Sequence, residues 1–258
     1  MMRELRRFLI AMGYFTRLPV PAWVGWEAGE LNRAARYFPW IGLLVALIVA
    51  SVLWCVALYL PLGVAVLLSM IVSLRLTGAF HEDGLADAAD GLGGGWQRED
   101  VLRIMKDSRI GTYGAAALVT ALLLKWGCLS ALTPGQTVLA LFVAHPLSRL
   151  AALLVMLSLP YVRDEDSSRA KPVAQGLGWP EGLIGALGGL LPLLLAGLAG
   201  ALSAARIALI LGAVLLVLAF WFRLLQRRLG GYTGDCLGAV QQCSELAIYL
   251  VLCAHVAG

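Results

Sequence analysis

Apolar positions along most of this chain do not alternate with polar ones; they run in blocks. Seven blocks stand out, at roughly residues 39–60, 62–80, 111–132, 135–160, 181–202, 204–225 and 235–256. Each is long enough to cross a ~30 Å hydrocarbon core as a helix. The links at 61, 133–134 and 203 are short and uncharged, whereas 81–110, 161–180 and 226–234 are longer and charged. The pattern predicts an all-α, polytopic integral membrane protein with about seven transmembrane helices, forming one membrane-embedded unit over residues 1–258.

The first 38 residues follow a different pattern. Leu5, Phe8, Leu9, Met12 and Phe15 recur at helical spacing, with Arg3, Glu4, Arg6 and Arg7 beside them. This predicts an amphipathic interfacial helix on the bilayer surface. The apolar run is short, Arg17 follows it and no A-x-A pattern closes it, so it does not read as a signal peptide. RLPVP (17–21) should end the helix, because Pro19 and Pro21 cannot continue it.

Composition agrees with the blocks. The chain is 60% hydrophobic and only 14% charged, against about 25% charged in an ordinary soluble domain. The net charge of +4 gives no reason to expect nucleic acid, because the basic residues sit in the membrane-flanking links. Arg3, Arg6, Arg7, Arg17, Arg33, Arg36, Arg98, Arg103, Lys106, Arg109, Arg163, Arg169, Lys171, Arg227 and Arg228 all fall on one side if the N-terminus is cytoplasmic, as the positive-inside rule requires. Only Arg206 lies near the other face, and no acid does. The partner is a lipid bilayer, and any chemistry is expected on the cytoplasmic side. The five cysteines have no metal-binding spacing, and the four that lie in apolar helices read as small buried hydrophobes. Gly185 and Gly189 form a small-xxx-small pair, which suits internal packing more often than a homo-oligomer contact.

Against this background FHEDGLADAADG (80–91) gathers four carboxylates in twelve residues. On a helix Asp83, Asp87 and Asp90 share one face at i, i+4 and i+7. Like charges so close repel, and a divalent cation such as Mg²⁺, which takes carboxylate and phosphate oxygens, resolves the conflict. Glu82 points about a quarter turn away and ranks lower. The alternative is a solvated acidic face with a helix cap, but the spacers are Gly, Leu and Ala rather than Lys. GLGGG (91–95), including Gly94, suits close approach to a phosphate, although glycine runs also make ordinary turns. The whole stretch 81–110 therefore reads as a cytoplasmic acidic, glycine-rich catalytic loop. In MKDSRIGTYG (105–114), Lys106 and Arg109 can meet phosphate oxygens and Asp107 can complete a metal site; the bland reading of the two bases is topology alone.

Polar residues also enter the blocks. Asp235, Gln241, Gln242, Ser244 and Glu245 sit in the seventh and Arg149 in the fourth, and such residues are costly in a membrane. Arg149 and Glu245 each lie roughly 15 Å deep by helical rise. They are expected to face one cavity opening to the cytoplasm beneath the acid stripe, in direct contact or through a bound substrate. His145, one turn before Arg149, can face the same space. Acids, a metal, bases and glycines on one face point to phosphoryl or nucleotide-phosphate transfer, without naming the substrate.

FHEDGLADAADG resembles the H-x-D-G-L-A-D-x-x-D-G signature of the cobalamin synthase family, the adenosylcobinamide-GDP ribazoletransferases. The resemblance continues through RLPVP, MKDSRIGTYG and GYTGDCLGA (231–239), covering nearly the whole chain in order. His81, Asp83, Asp87 and Asp90 match fixed positions of the signature, and Glu82 a free one. The resemblance implies a multi-pass enzyme of the bacterial inner membrane that joins adenosylcobinamide-GDP to α-ribazole or its 5′-phosphate with Mg²⁺. GMP is released and adenosylcobalamin or its 5′-phosphate is formed. It also makes His81 a candidate base, metal-shell donor or phosphate contact. A CDP-alcohol phosphatidyltransferase pattern is a weaker match, because Gly94 and Gly95 stand where Ala and Arg should follow D-A-A-D-G. An ion-coupled transporter fits poorly with acids confined to one side.

Overall fold

The computed structural model describes residues 2–25, 28–162 and 177–254. Eleven α-helices account for most of them. The first group is α1 (Met2–Phe15), α2 (Ala28–Ala34), α3 (Phe38–Ala57), α4 (Leu62–Thr77), α5 (Phe80–Gly94) and α6 (Arg98–Ile104). The second is α7 (Thr112–Ser130), α8 (Pro134–Ser158), α9 (Trp179–Leu198), α10 (Ala204–Arg228) and α11 (Gly234–Cys253). Among the described residues six helical stretches are long and apolar enough to cross a membrane, and a seventh counts if α4 and α5, bent by 85°, are taken together. The blocks of apolar sequence are thus the spanning helices of an all-α membrane protein. Arg163, Arg169 and Lys171 of the charge pattern lie outside the described residues.

α8 is the central helix and has the most thoroughly buried surface. Its start is held by a capping box between Thr133 and Gln136, which satisfies backbone donors that would otherwise be orphaned at a helix end. It packs on α3, α9 and α11. A side chain at Gly42 of α3 would come within 2.8 Å of the Pro146 backbone, so these two helices cross in backbone contact. In lipid, where apolar burial gives little preference, such close packing of small residues holds helices together. Gly185 and Gly189 of α9 serve the same end, against Leu153 and Leu150 of α8. Their contact is internal, the more ordinary of the two expectations.

One expectation is corrected. The stretch 81–110 is not a loop: α5 runs through the acidic signature and into the glycine run, and α6 follows. The break comes earlier, at Gly78 (φ 66°) and Ala79 (φ 55°). A left-handed alanine costs about 1 kcal/mol or more, so packing on both sides must hold it. The bend turns α5 inward, between α7 and α11. The helix expected at the N-terminus is present, and α1 ends at Phe15 as the prolines require. Leu5 is exposed, while Arg7 is buried and donates to Glu30 at 2.8 Å, so α1 docks on α2 and α3.

Candidate active site

The site forms where α5 crosses α11. A Cβ at Gly84 would lie 2.9 Å from the Asp235 carbonyl oxygen, and one at Gly238 would lie 2.9 Å from that of His81. Both obstacles are backbone. The two glycines therefore let the signature helix and GYTGDCLGA touch, setting the Asp83–Asp87 side of α5 beside the start of α11. Thr233 caps α11, its hydroxyl accepting from the Cys236 N–H at 3.4 Å and lying 3.4 Å from Asp235 Oδ2.

The acid stripe is graded in depth. Asp83 is exposed, Asp87 half-buried and Asp90 buried. Asp90 is already engaged: its two oxygens accept the backbone N–H groups of Gly111 (2.7 Å) and Gly114 (2.9 Å). It fastens α5 to the N-terminus of α7, where a carboxylate also suits the helix dipole. Asp107 is paired with Arg109, which donates from Nε at 3.0 Å and from Nη2 at 2.6 Å. The guanidinium holds the Asp107 carboxyl down at about 2. Among the described residues no three His, Cys, Asp or Glu side chains gather as a metal cage. Of the four acids expected to hold a metal, Asp90 receives two backbone N–H groups and Asp107 pairs with Arg109, while Asp83 and Asp87 sit one turn apart on α5. That donor set fits Mg²⁺ only if substrate phosphate completes it, which is how magnesium is commonly held.

The glycine run is helical, and its glycines fit neighbours rather than a ligand. Gly91 and Gly95 meet Met105 and Val101 of the α6 region, and Gly93 lies under the Tyr113 ring. Gly94 is exposed, with Ile104 3.5 Å from where its Cβ would be. Lys106 and Arg109 are exposed just beyond α6.

Beneath α5 lies a buried polar network. Lys125 of α7 pairs with Glu245 at 3.0 Å and donates to Gln242 Oε1 at 3.1 Å. Gln242 donates to Glu82 at 3.0 Å, Gln241 donates to Glu245 at 2.6 Å, and the Tyr249 hydroxyl donates to Glu245 at 3.1 Å. Arg149 donates to the His145 carbonyl at 2.9 Å, its guanidinium 5.6 Å from the Phe38 ring centroid. His145 Nδ1 is 3.6 Å from Glu245 Oε2. Arg149 and Glu245 thus share one buried cluster and face no lipid, as expected, but they meet through His145 rather than directly. Arg149 is also absent from the lining of the small void beside Glu245, which Glu82, Lys125, His145 and Tyr249 share. Two acids balance two bases here. Sequence reading passed over Lys125, although a lysine deep in an apolar block is a readable signal. It ranked Glu82 low because a one-helix view cannot show that its side of α5 faces α7 and α11.

A second, aromatic pocket opens at the starts of α5 and α11. Tyr14, Phe38, Phe80, His81, Tyr161 and Tyr232 are among the walls of this cavity of about 50 Å³. His81 stacks on Phe38 with ring centroids 5.6 Å apart. Burial, then the neighbouring Tyr161 and Asp235, push the Tyr14 hydroxyl up to about 12, so it stays protonated at neutral pH.

A family model described as cobalamin-5-phosphate synthase matches residues 7–253. The chain is 51% identical to the adenosylcobinamide-GDP ribazoletransferase of Shewanella baltica (strain OS185) over 254 residues, covering 97% of this chain and 94% of that protein. The protein of the same name from Shewanella putrefaciens (strain CN-32 / ATCC BAA-453) is equally similar, with the same coverage. The one from Shewanella sp. (strain ANA-3) is 49% identical over 253 residues, again with 97% and 94% covered. No solved structure matches the chain.

Proposed function

This chain belongs to the cobalamin-5-phosphate synthase family and is an enzyme of cobalamin synthesis, and we propose that it joins adenosylcobinamide-GDP to α-ribazole or its 5′-phosphate at the cytoplasmic face of a bacterial inner membrane. A ribose hydroxyl of the acceptor attacks the phosphorus attached to cobinamide. The new P–O bond forms as the pyrophosphate P–O bond breaks, GMP leaves, and the hydroxyl proton is released. The product is adenosylcobalamin or its 5′-phosphate, and the description of the matched family favours the phosphorylated form.

The observation that carries this reading is the α5–α11 crossing, where the signature helix that bears Asp83 and Asp87 touches the backbone of Asp235 through Gly84. Asp83 and Asp87 would hold Mg²⁺ against the pyrophosphate. An ion held there would supply charge neutralisation for the phosphates. The chain's own groups orient the rest. Asp90 locks the acid helix onto α7, and the Gly84–Gly238 contact sets the spacing to Asp235. Lys106, exposed beyond α6, can meet the GMP end of the donor. The cytoplasmic placement is supported by the sequence pattern of basic residues in the links.

The test is direct. The purified protein in detergent or nanodiscs is incubated with adenosylcobinamide-GDP, α-ribazole and Mg²⁺, and GMP is measured. Release that requires both substrates and stops with EDTA supports the reading. GMP formed without α-ribazole, or transfer only from CDP-diacylglycerol, would overturn it.

A further inference from the structure

In the sequence Arg17 is one of several basic residues before the first span; in the fold it is pinned to the α4–α5 bend. Its backbone N–H donates to the Leu76 carbonyl at 2.7 Å. The residues on either side are tied together as well, because the Thr16 hydroxyl donates to the Met12 carbonyl at 2.7 Å and accepts from the Leu18 N–H at 3.2 Å. The Arg17 side chain lies across Gly78. A Cβ at Gly78 would come 3.0 Å from Arg17 Nη2 and 3.1 Å from Cζ, so the guanidinium has its place because residue 78 has no side chain. Yet Arg17 is exposed, and its guanidinium makes no hydrogen bond or ion pair among the described residues.

The bend that holds Arg17 is also the entry to the acid face. The Asp83 N–H donates at 2.9 Å to the carbonyl of Ala79, the residue after Gly78. Helical side chains lean toward the helix N-terminus, which directs the Asp83 carboxylate back toward this turn. Phe80, three residues before Asp83 and on the same face of α5, packs edge-on against Tyr14 and Phe15, with ring centroids 5.8 and 6.3 Å apart. The end of α1 is thereby applied to the face that carries Asp83 and Asp87. Asp83 is exposed too, and its carboxylate has no partner among the described residues. A base and an acid at one turn, paired neither with each other nor with a neighbour, suit a ligand that engages both. Its oxygens would accept from the guanidinium and share a cation with the carboxylate. A diphosphate has that chemistry; a neutral base or sugar does not.

We infer that Arg17 is a catalytic residue that binds the pyrophosphate of the GDP-linked donor, its guanidinium donating to phosphate oxygens at the Asp83 end of α5. The inference rests on the transfer reaction proposed above. Arg17 does not duplicate Lys106. Met105 packs at Gly91, so Lys106 stands toward the other end of α5, and the two cations bracket the acids. The planar guanidinium can present two parallel N–H groups to one phosphate, which a lysine cannot copy.

Equilibrium dialysis of adenosylcobinamide-GDP against the full-length protein, with Mg²⁺ and without acceptor, tests the contact in the absence of turnover. Arg17→Ala should raise the donor Kd by about ten-fold or more, the scale of one hydrogen bond to a charged group. Arg17→Lys keeps the charge that topology requires and most of the side chain, so it serves even if Arg17→Ala does not fold; it should lose roughly three-fold or more, because it lacks the fork. The Kd for α-ribazole, which carries no phosphate, should stay within about two-fold in both variants. The assignment is overturned if wild type does not bind the donor, if either variant keeps wild-type donor affinity, or if affinity for α-ribazole falls in step. It is also overturned if the loss is confined to α-ribazole 5′-phosphate, which would make the acceptor's phosphate the ligand. GMP release by wild type judges the transfer reaction separately: turnover with an unchanged donor Kd in the variants sinks the Arg17 contact alone, and Arg17-dependent donor binding without turnover sinks the reaction alone.

Discussion

Lys125 on α7 and Glu245 on α11 form a 3.0 Å ion pair inside the bundle, each more than nine-tenths buried. Removing one partner of such a pair leaves an uncompensated charge and typically costs about 3–5 kcal/mol. Lys125→Met or Glu245→Gln alone should therefore lower thermal stability in detergent markedly. The double variant should recover part of that loss, because it buries no orphan charge. Single and double variants melting alike would show that the pair does not couple.

The acids should separate into two groups. Asp83→Asn and Asp87→Asn should slow GMP release by at least about 10²-fold, the scale of losing a group that stabilises transition-state charge. Asp90→Asn should instead cost about 1–3 kcal/mol of stability, since its carboxylate receives two backbone N–H groups. Melting curves and GMP assays on the same preparations distinguish the two outcomes. An Asp90→Asn protein with normal stability would refute the fastening role.

Glycines of the signature region should differ in the same way. Gly84→Ala forces a methyl to within 2.9 Å of the Asp235 carbonyl and should destabilise the crossing by about 1–3 kcal/mol, as overpacking does, with activity falling in step. Gly94→Ala meets only Ile104 at 3.5 Å and should be neutral, or stabilising by up to about 1 kcal/mol through helix propensity. An inactive but stable Gly94→Ala protein would restore the phosphate role that its sequence context suggested.

Asp107 titrates at about 2 because Arg109 holds its ionised form. A depressed carboxyl stabilises only above its ordinary value, and that contribution is lost as pH falls through about 2. The pair should thus stay ionised throughout pH 5–8 and add no pH dependence there. It is solvent-exposed, so Asp107→Asn should leave melting unchanged. If Arg109 can reach the donor's phosphates, the same substitution frees it and should lower the KM for adenosylcobinamide-GDP. A raised KM would place Asp107 itself in the site.

Much was determined by local pattern alone. Apolar blocks of spanning length, separated by short or charged links, leave the backbone no choice but helices in lipid, where each N–H and C=O must be satisfied within its own segment. The prolines after Phe15 end α1 for an equally local reason. The acid signature, with the order of the motifs around it, was enough to indicate family and chemistry. Local pattern could not say which acid fastens one helix to another, because that depends on what lies across from it. Asp83, Asp87 and Asp90 are alike in spacing, yet only Asp90 meets the start of α7. GLGGG looks like a phosphate loop until the α6 and Tyr113 contacts show where its missing side chains would strike. Lys125, Glu82 and Glu245 are some 40 to 160 residues apart in the chain, and the void between them, like the aromatic pocket shared by α1, α3, α5, α8 and α11, exists only after the α4–α5 bend brings α5 inward. Helix formation is decided by short-range forces and solvent, whereas charge pairing and pocket shape are decided by neighbours distant in sequence.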